Sequence, residues 1–364
     1  MTEVFDVLVA GGGPAGAVVA LCLARQGCRV ALLEGTAYDL PRYGETLPPE
    51  INPVLRGLGL WEAFQALSPL VAPGTISVWG DPLPVEADFI RNVHGPGWHI
   101  DRNRFDRMLS REAESAGVRV YSRCRAGTCH RESGGWRAGE FRARILVDAC
   151  GRNGLRLDGN ANREIEDALL AIALTISDAP ARDLRTCIET TPSGWWYTAP
   201  LPDESTIAMF FTDAAVYRQE GISVHGQLQA APLTTRRLEG GHIRNSRVLH
   251  VTSSCRTAVS GNGWVAVGDS ASSYDPLSGR GVFKALQHAA SAAASITACL
   301  SGDEDSMLQY AAQVRLEFDE YVRQRRLYYA AERRWAEYPF WLARSRNATA
   351  TAGRASAKGT TTLT

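Results

Sequence analysis

The most constraining feature of the chain lies in its first 34 residues. An apolar run, Val7 to Ala10, reads as a buried parallel strand. Gly11, Gly13 and Gly16 follow in Gly-x-Gly-x-x-Gly spacing. The first glycine turns the chain, the second lets a pyrophosphate approach the backbone, and the third lets a helix pack on the strand. That helix is expected over roughly Pro14 to Gln26, and its free N–H groups and positive end face the phosphates. Pro14 and Ala15 fall inside the fingerprint and count among its ligand-facing residues. A second apolar strand, Arg29 to Leu33, ends at Glu34, 18 residues past Gly16, where an acid takes both hydroxyls of an adenosine ribose. Alone, the glycine spacing is weak; strand, glycines, helix, strand and acid in register are a strong dinucleotide signature. The bland alternative is a glycine-rich turn of another α/β protein.

A length of 364 residues allows two or three structural units and a large core. The 39 basic and 39 acidic residues cancel, so no attraction to nucleic acid or to an anionic membrane is expected. No run of 18 apolar residues suggests a membrane span. The fingerprint begins by residue 7, which leaves no room for a signal peptide, and a cytoplasmic location is expected. The eight cysteines are scattered and none forms Cys-x-x-Cys. Cys124, Cys129 and His130 lack a fourth ligand at usual spacing, so no metal site is expected.

Beyond Glu34, the segment 41–50 holds three prolines and a glycine and reads as a shaped loop. Arg42 and Glu45 are candidates there to face the cofactor, and Pro48 to face the substrate. Short β-like runs over 74–93 suggest an excursion into a second, sheet-built domain. From Gly97 a strand leads into a helix that Asp101 or Asn103 caps, with Arg102 at its first turn, ready for a phosphate or a ring carbonyl. His99 reads as packing or surface more readily than as an acid or base.

The strand from Ile145 ends in Asp148-x-x-Gly151. Trp195, Trp196 and Tyr197 stand in a strand context and are expected to wall a substrate pocket, the alternative being an ordinary aromatic sheet face. The strand from Gly263 ends in Gly268-Asp269 and runs on to Gly281, where an alanine-rich helix begins. Helices are expected over 304–341, with Arg315, Arg323, Arg325, Arg326, Arg333 and Arg334 read as solvated charge. The last 19 residues, 346–364, read as a flexible tail.

Gly11-x-Gly13-x-x-Gly16, Asp148-x-x-Gly151 and Gly268-Asp269 with Pro276-x-x-x-x-Gly281 together resemble flavoproteins of the para-hydroxybenzoate hydroxylase and geranylgeranyl reductase class. The resemblance spans about four-fifths of the chain. It implies an α/β fold with a Rossmann-like FAD-binding domain of the glutathione reductase type, an inserted β-sheet substrate domain and C-terminal helices. The corresponding boundaries are 1–73, 97–160 and 250–300 for the discontinuous FAD domain, 74–96 and 161–249 for the substrate domain, and 301–345 for the helices. It implies non-covalent FAD, held by the fingerprint, Arg102, Asp148, Gly268 and Asp269. Pro276, Gly279, Arg280, Gly281 and Val282 would present a helix N-terminus to the pyrimidine edge of the flavin, where reduced flavin is negative.

A narrower resemblance rests on Gly44-Glu-Thr-Leu-Pro-Pro49, Gly97-Trp-His-Ile-Asp-Arg102, Gly194-Trp-Trp-Tyr-Thr-Ala-Pro200 and Tyr274-Asp-Pro-Leu-Ser-Gly-Arg-Gly281. These are similar to the LodB/GoxB type, relatives of tryptophan halogenases that oxygenate a tryptophan within a partner protein during cysteine tryptophylquinone biogenesis. The resemblance implies a monooxygenase acting through a flavin C4a-hydroperoxide on an aromatic substrate. The pocket would lie between the flavin and the Trp195–Tyr197 strand, and no general acid or base is singled out. Halogenases need a lysine some thirty residues after the Gly-Glu-Thr loop, whereas 44–101 hold none; their active-site glutamate is Ser278 here. No second glycine fingerprint builds a nicotinamide domain, so electrons would come from transient NAD(P)H or from a separate flavin reductase. A geranylgeranyl reductase-like oxidoreductase, a small-molecule halogenase and a non-catalytic escort of a client protein remain the alternatives.

Overall fold

A computed structural model describes residues 3–157, 162–179, 183–219, 221 and 223–345. The expected tail, 346–364, lies outside the described residues. The chain forms two compact units. One is Met1–Val71, Arg91–Glu166 and Thr252–Phe318; the other is Ala72–Ile90, Asp167–Val251 and Asp319–Thr364. The C-terminal helices are present as the long helix Ser306–Ala331 and, after a turn, a short helical segment over 339–345, and the division between the two units falls at Phe318.

The first unit is built on a sheet whose central strands run Trp264–Ala266, Phe141–Asp148, Val4–Ala10, Val30–Glu34 and Arg119–Ser122, all parallel. The near-continuous apolar character of Val7–Ala10 and Val30–Leu33 follows from this: both strands are covered on both faces, with exposures of 1% or less. The helix Pro14–Arg25 covers one face with Ala17 to Leu21 and Leu23, all at 0%. Each such Val or Leu contributes roughly 1.5–3 kcal/mol of burial. Asp101 caps the helix Arg102–Ser115, accepting the Arg104 N–H at 3.0 Å.

The second unit is a seven-stranded sheet. Its order is His242–His250, Leu169–Ser177, Thr206–Asp213, Gly194–Pro200, Thr186–Thr191, Gly74–Val78 and Val85–Asp88. Only Thr186–Thr191 and Gly74–Val78 pair in parallel. One face buries Ile172, Leu174, Ile176, Trp196 and Phe210 beneath Leu228 and Leu238. Charge in the C-terminal stretch is not all solvated. Arg325 is 8% exposed and pairs with Asp167 at 2.6 Å, and Arg344 grips Asp213 with two bonds of 2.7 and 2.8 Å. These arginines anchor the stretch to the unit, a role their neighbours in sequence do not betray. Among the described residues, no helix is long and apolar enough to cross a membrane.

Candidate active site

The sheet of the first unit brings its motifs to one edge. Ala10 stands opposite both Leu33 and Asp148, and Asp148 opposite Ala266, so the glycine loop, Glu34, the Asp148 turn and Gly268-Asp269 all leave the carboxyl ends of adjacent parallel strands. That edge is where open α/β sheets bind ligands. Two of the glycines answer to the fold itself. A Cβ on Gly11, at φ +102°, would lie 2.4 Å from the Ala149 carbonyl oxygen, and one on Gly16 would lie 1.8 Å from that of Gly11. Gly13 differs: its φ is −71° and a Cβ there would meet only Arg42, at 4.0 Å. Neither conformation nor protein contact demands glycine, so the open space beside it is room for a ligand. Pro14 begins the helix, no side chain caps it, and Ala15 packs where a Cβ on Gly268 would fall, 2.7 Å away.

Glu34 is 5% exposed and heavily engaged. One oxygen accepts the Gly12 N–H at 2.9 Å; the other accepts the Thr36 N–H, the Thr36 hydroxyl and Arg42 at 2.9, 2.6 and 2.8 Å. Tyr38 completes this corner by donating its hydroxyl to the Gly12 carbonyl at 3.0 Å. Arg42 reaches onward to Asp106 at 2.9 Å, and Arg102 grips the same carboxylate at 3.0 and 3.1 Å. Arg102 also donates to the Tyr43 carbonyl. Asp106 is wholly buried and was not foreseen as a site residue. Its signal was the four-residue spacing from Arg102 on an amphipathic helix. Burial opposes the Arg102 charge, but Asp106, Glu45 and Asp269 outweigh it and hold the guanidinium above its ordinary value. Glu45 sits beside this network, 5% exposed and accepting the Gly44 N–H at 2.8 Å; burial pushes its carboxyl up to about 7. His99 is fully buried, with Nδ1 3.0 Å from the Thr46 hydroxyl, in keeping with packing.

Asp148 was expected at the cofactor, and the structure gives it another task. It is 0% exposed, and its oxygens accept the N–H groups of Cys150 and Leu155 and the Arg256 guanidinium at 3.0, 2.7 and 2.7 Å. A carboxylate so committed shapes the turn after its strand and presents nothing outward. Asp269 keeps an outward part, with 30% of its side chain exposed. Lys284 holds one oxygen at 3.0 Å and Arg152 approaches the other at 3.4 Å. Burial pushes the Asp269 carboxyl up, and Lys284, Arg152 and Arg163 together outweigh it, so it stays below its ordinary range. Pro276 opens a short helical turn that Asp275 caps, and Gly279 at φ +60° leads out of it. Arg280, Gly281 and Val282 then start the helix Gly281–Leu300 with no side-chain cap, and Cβ atoms on Gly279 or Gly281 would meet nothing within 4 Å. Two uncapped helix ends, open glycines and an outward-facing Asp269 suit a dinucleotide with an anionic middle and a ring that becomes anionic on reduction. Gly13, Ala15, Arg42, Arg102, Asp269 and the Gly281 helix end are the groups that would hold it.

Trp195, Trp196 and Tyr197 belong to the second unit and Pro48 to the first. Strand alternation sends Trp195 and Trp196 to opposite faces, so they do not form one wall. Trp195, 1% exposed, stacks on Phe211 at 4.0 Å and donates its indole N–H to the Tyr329 hydroxyl at 3.1 Å. Trp196, 0% exposed, leans on Phe210 and donates to the Gln227 carbonyl at 3.2 Å. Tyr197 is half-buried on the Trp195 side, and Pro48 is half-buried as well. Trp98 is likewise spent on packing, against Trp61 and Phe64, with its N–H on Asn52 at 2.7 Å.

Fold and site together define an FAD-binding oxidoreductase. Residues 4–143 match the FAD binding domain family, and residues 83–357 match the tryptophan halogenase family, to which this chain belongs. LodB of Marinomonas mediterranea, described as an FAD-dependent oxidoreductase, is 29% identical over 363 residues, covering 94% of this chain and 97% of its own. The myxobacterial chondrochloren halogenase CndH superposes with a TM-score of 0.84 at 25% identity, over 98% of this chain and 90% of that one. QhpG, described as a peptidyl tryptophan dihydroxylase essential for tryptophylquinone cofactor biogenesis, superposes with a TM-score of 0.75 at 25% identity, over 94% and 79%.

Proposed function

We propose that the chain is an FAD-dependent monooxygenase that hydroxylates a tryptophan ring in a partner protein during tryptophylquinone maturation. The near end-to-end similarity to LodB and the likeness to QhpG support the substrate class. One observation favours oxygen transfer over halogen transfer. Lys284 is the only lysine among the described residues, and its ammonium is committed to Asp269, the Ser272 carbonyl and the Tyr274 ring. An amine so engaged is not free to carry a halogen to a substrate.

Reduced FAD, when bound, supplies the electrons that activate O₂. The chain's own groups do the rest. The glycine loop and the helix end at Gly281 bind and orient the cofactor, and Asp106 fixes the two arginines beside it. Glu45, buried beside Arg102 with its carboxyl pushed up to about 7, can exchange a proton near neutral pH. Electrons are inferred to come from NAD(P)H bound transiently or from a separate flavin reductase. Halogenation is the second reading, favoured by the family match.

The test is incubation under ¹⁸O-labelled O₂, with and without bromide, using a tryptophan-bearing partner and, separately, free aromatic compounds. One or two labelled oxygens on the partner's tryptophan are expected. Bromination, or reduction without oxygen incorporation, overturns the proposal, and reaction of free compounds alone overturns the protein-substrate part.

A further inference from the structure

Two of the 39 Lys and Arg residues are lysines, Lys284 and Lys358, and only Lys284 lies among the described residues. Its position is unfavourable on two counts. It stands in the first turn of a 20-residue helix, where its N–H makes the first intrahelical bond, to the Arg280 carbonyl at 2.8 Å. A cation there opposes the positive helix end. The residue is only 4% exposed, and burial drives its amine below its ordinary value. A methionine of similar length would fill the space without these costs. The charge is nevertheless kept, and each partner favours it: Asp269 Oδ1 at 3.0 Å, the Ser272 carbonyl, and the Tyr274 ring face at 4.2 Å.

The surroundings carry an excess of positive charge. Arg152 pairs with the same Asp269 and donates to the carbonyls of Thr252 and Tyr274 at 2.8 and 2.9 Å. Arg163 donates to the carbonyls of Ser270 and Asp269 at 2.7 and 3.1 Å. Two cations thus meet the Asp269 carboxylate and a third, Arg163, holds its main chain and adds its charge, at the start of a helix that adds its own positive end. Such a field attracts a phosphate and favours the more negative of two redox forms of a bound ring.

We propose that Lys284 is a positioning residue for FAD, fixing the Asp269 carboxylate and supplying charge that favours the reduced, anionic cofactor over the oxidised one. This rests on FAD binding and is independent of the substrate.

The test is made on the full-length holoprotein. Lys284→Met should weaken oxidised FAD at least tenfold by titration. It should also raise the ratio of reduced to oxidised dissociation constants at least tenfold, read as a midpoint potential about 30 mV more negative. Asp269→Asn should weaken FAD while moving the midpoint the other way. In the double variant the potential should return to within twofold, in that ratio, of wild type, because both charges are gone, and FAD should bind no more weakly than in the weaker-binding single variant. Lys284→Gln, which keeps length and a donor, serves if the methionine variant does not fold, with the same midpoint shift expected. A midpoint unchanged in every folded Lys284 variant overturns the charge role. Losses of FAD affinity that add in full in the double variant overturn the pairing with Asp269.

Discussion

At the scale of single residues, buried carboxylates decide how the site is held. Asp106 neutralises two guanidinium groups drawn from a loop and a helix 60 residues apart in sequence. Replacing Asp106 with alanine leaves both half-buried guanidinium groups without it, and a loss of roughly 2–4 kcal/mol is expected. Urea unfolding would show it as a lowered midpoint at unchanged slope; a shift below about 1 kcal/mol contradicts the clamp. Glu45 acts in the opposite sense. Its carboxyl titrates near 7 when folded against an ordinary 4.5, so the folded state binds the extra proton between these values. Stability from this group is therefore present at low pH and falls by about 3 kcal/mol as pH rises from 4.5 to 7. Glu45→Gln should flatten that part of the stability profile, and an identical slope in both proteins would dismiss the shift.

At the scale of elements, the strands around the glycine fingerprint were legible because Gly11 and Gly16 each report one backbone constraint. The Asp148 motif was legible as a motif, but not in its role: nothing local shows that Leu155 and Arg256 return to occupy its oxygens. The aromatic strand was misjudged for a simpler reason. A run of adjacent large residues looks like one surface, yet a strand's period of two parts Trp195 from Trp196. Trp196, packed on Phe210 and hydrogen-bonded to Gln227, belongs to the core. Trp196→Ala should cost roughly 3–5 kcal/mol of stability and leave FAD affinity within twofold. Loss of catalysis in a variant of wild-type stability would return the residue to the substrate side.

At the scale of the whole molecule, the second unit is assembled from separate segments of the chain, and the alternating run over 74–93 is the sequence feature that suggests such an excursion. The burial of Arg325 and Arg344 was not visible, because a charged helix face and an anchoring arginine have the same composition. Long-range partners such as Asp167 and Asp213 make the difference, and no spacing rule reaches across 131 residues.

The sequestered ammonium of Lys284 has a practical consequence. Acylating reagents need a free, deprotonated amine, and this one is shielded by a carboxylate, a carbonyl and a ring. Brief pulses of acetic anhydride on the native protein should leave the Lys284 peptide unmodified, while the same pulse in denaturant should mark it fully. The fraction acylated at intermediate urea would then time the opening of the cofactor cradle, making a rare lysine a built-in chemical clock.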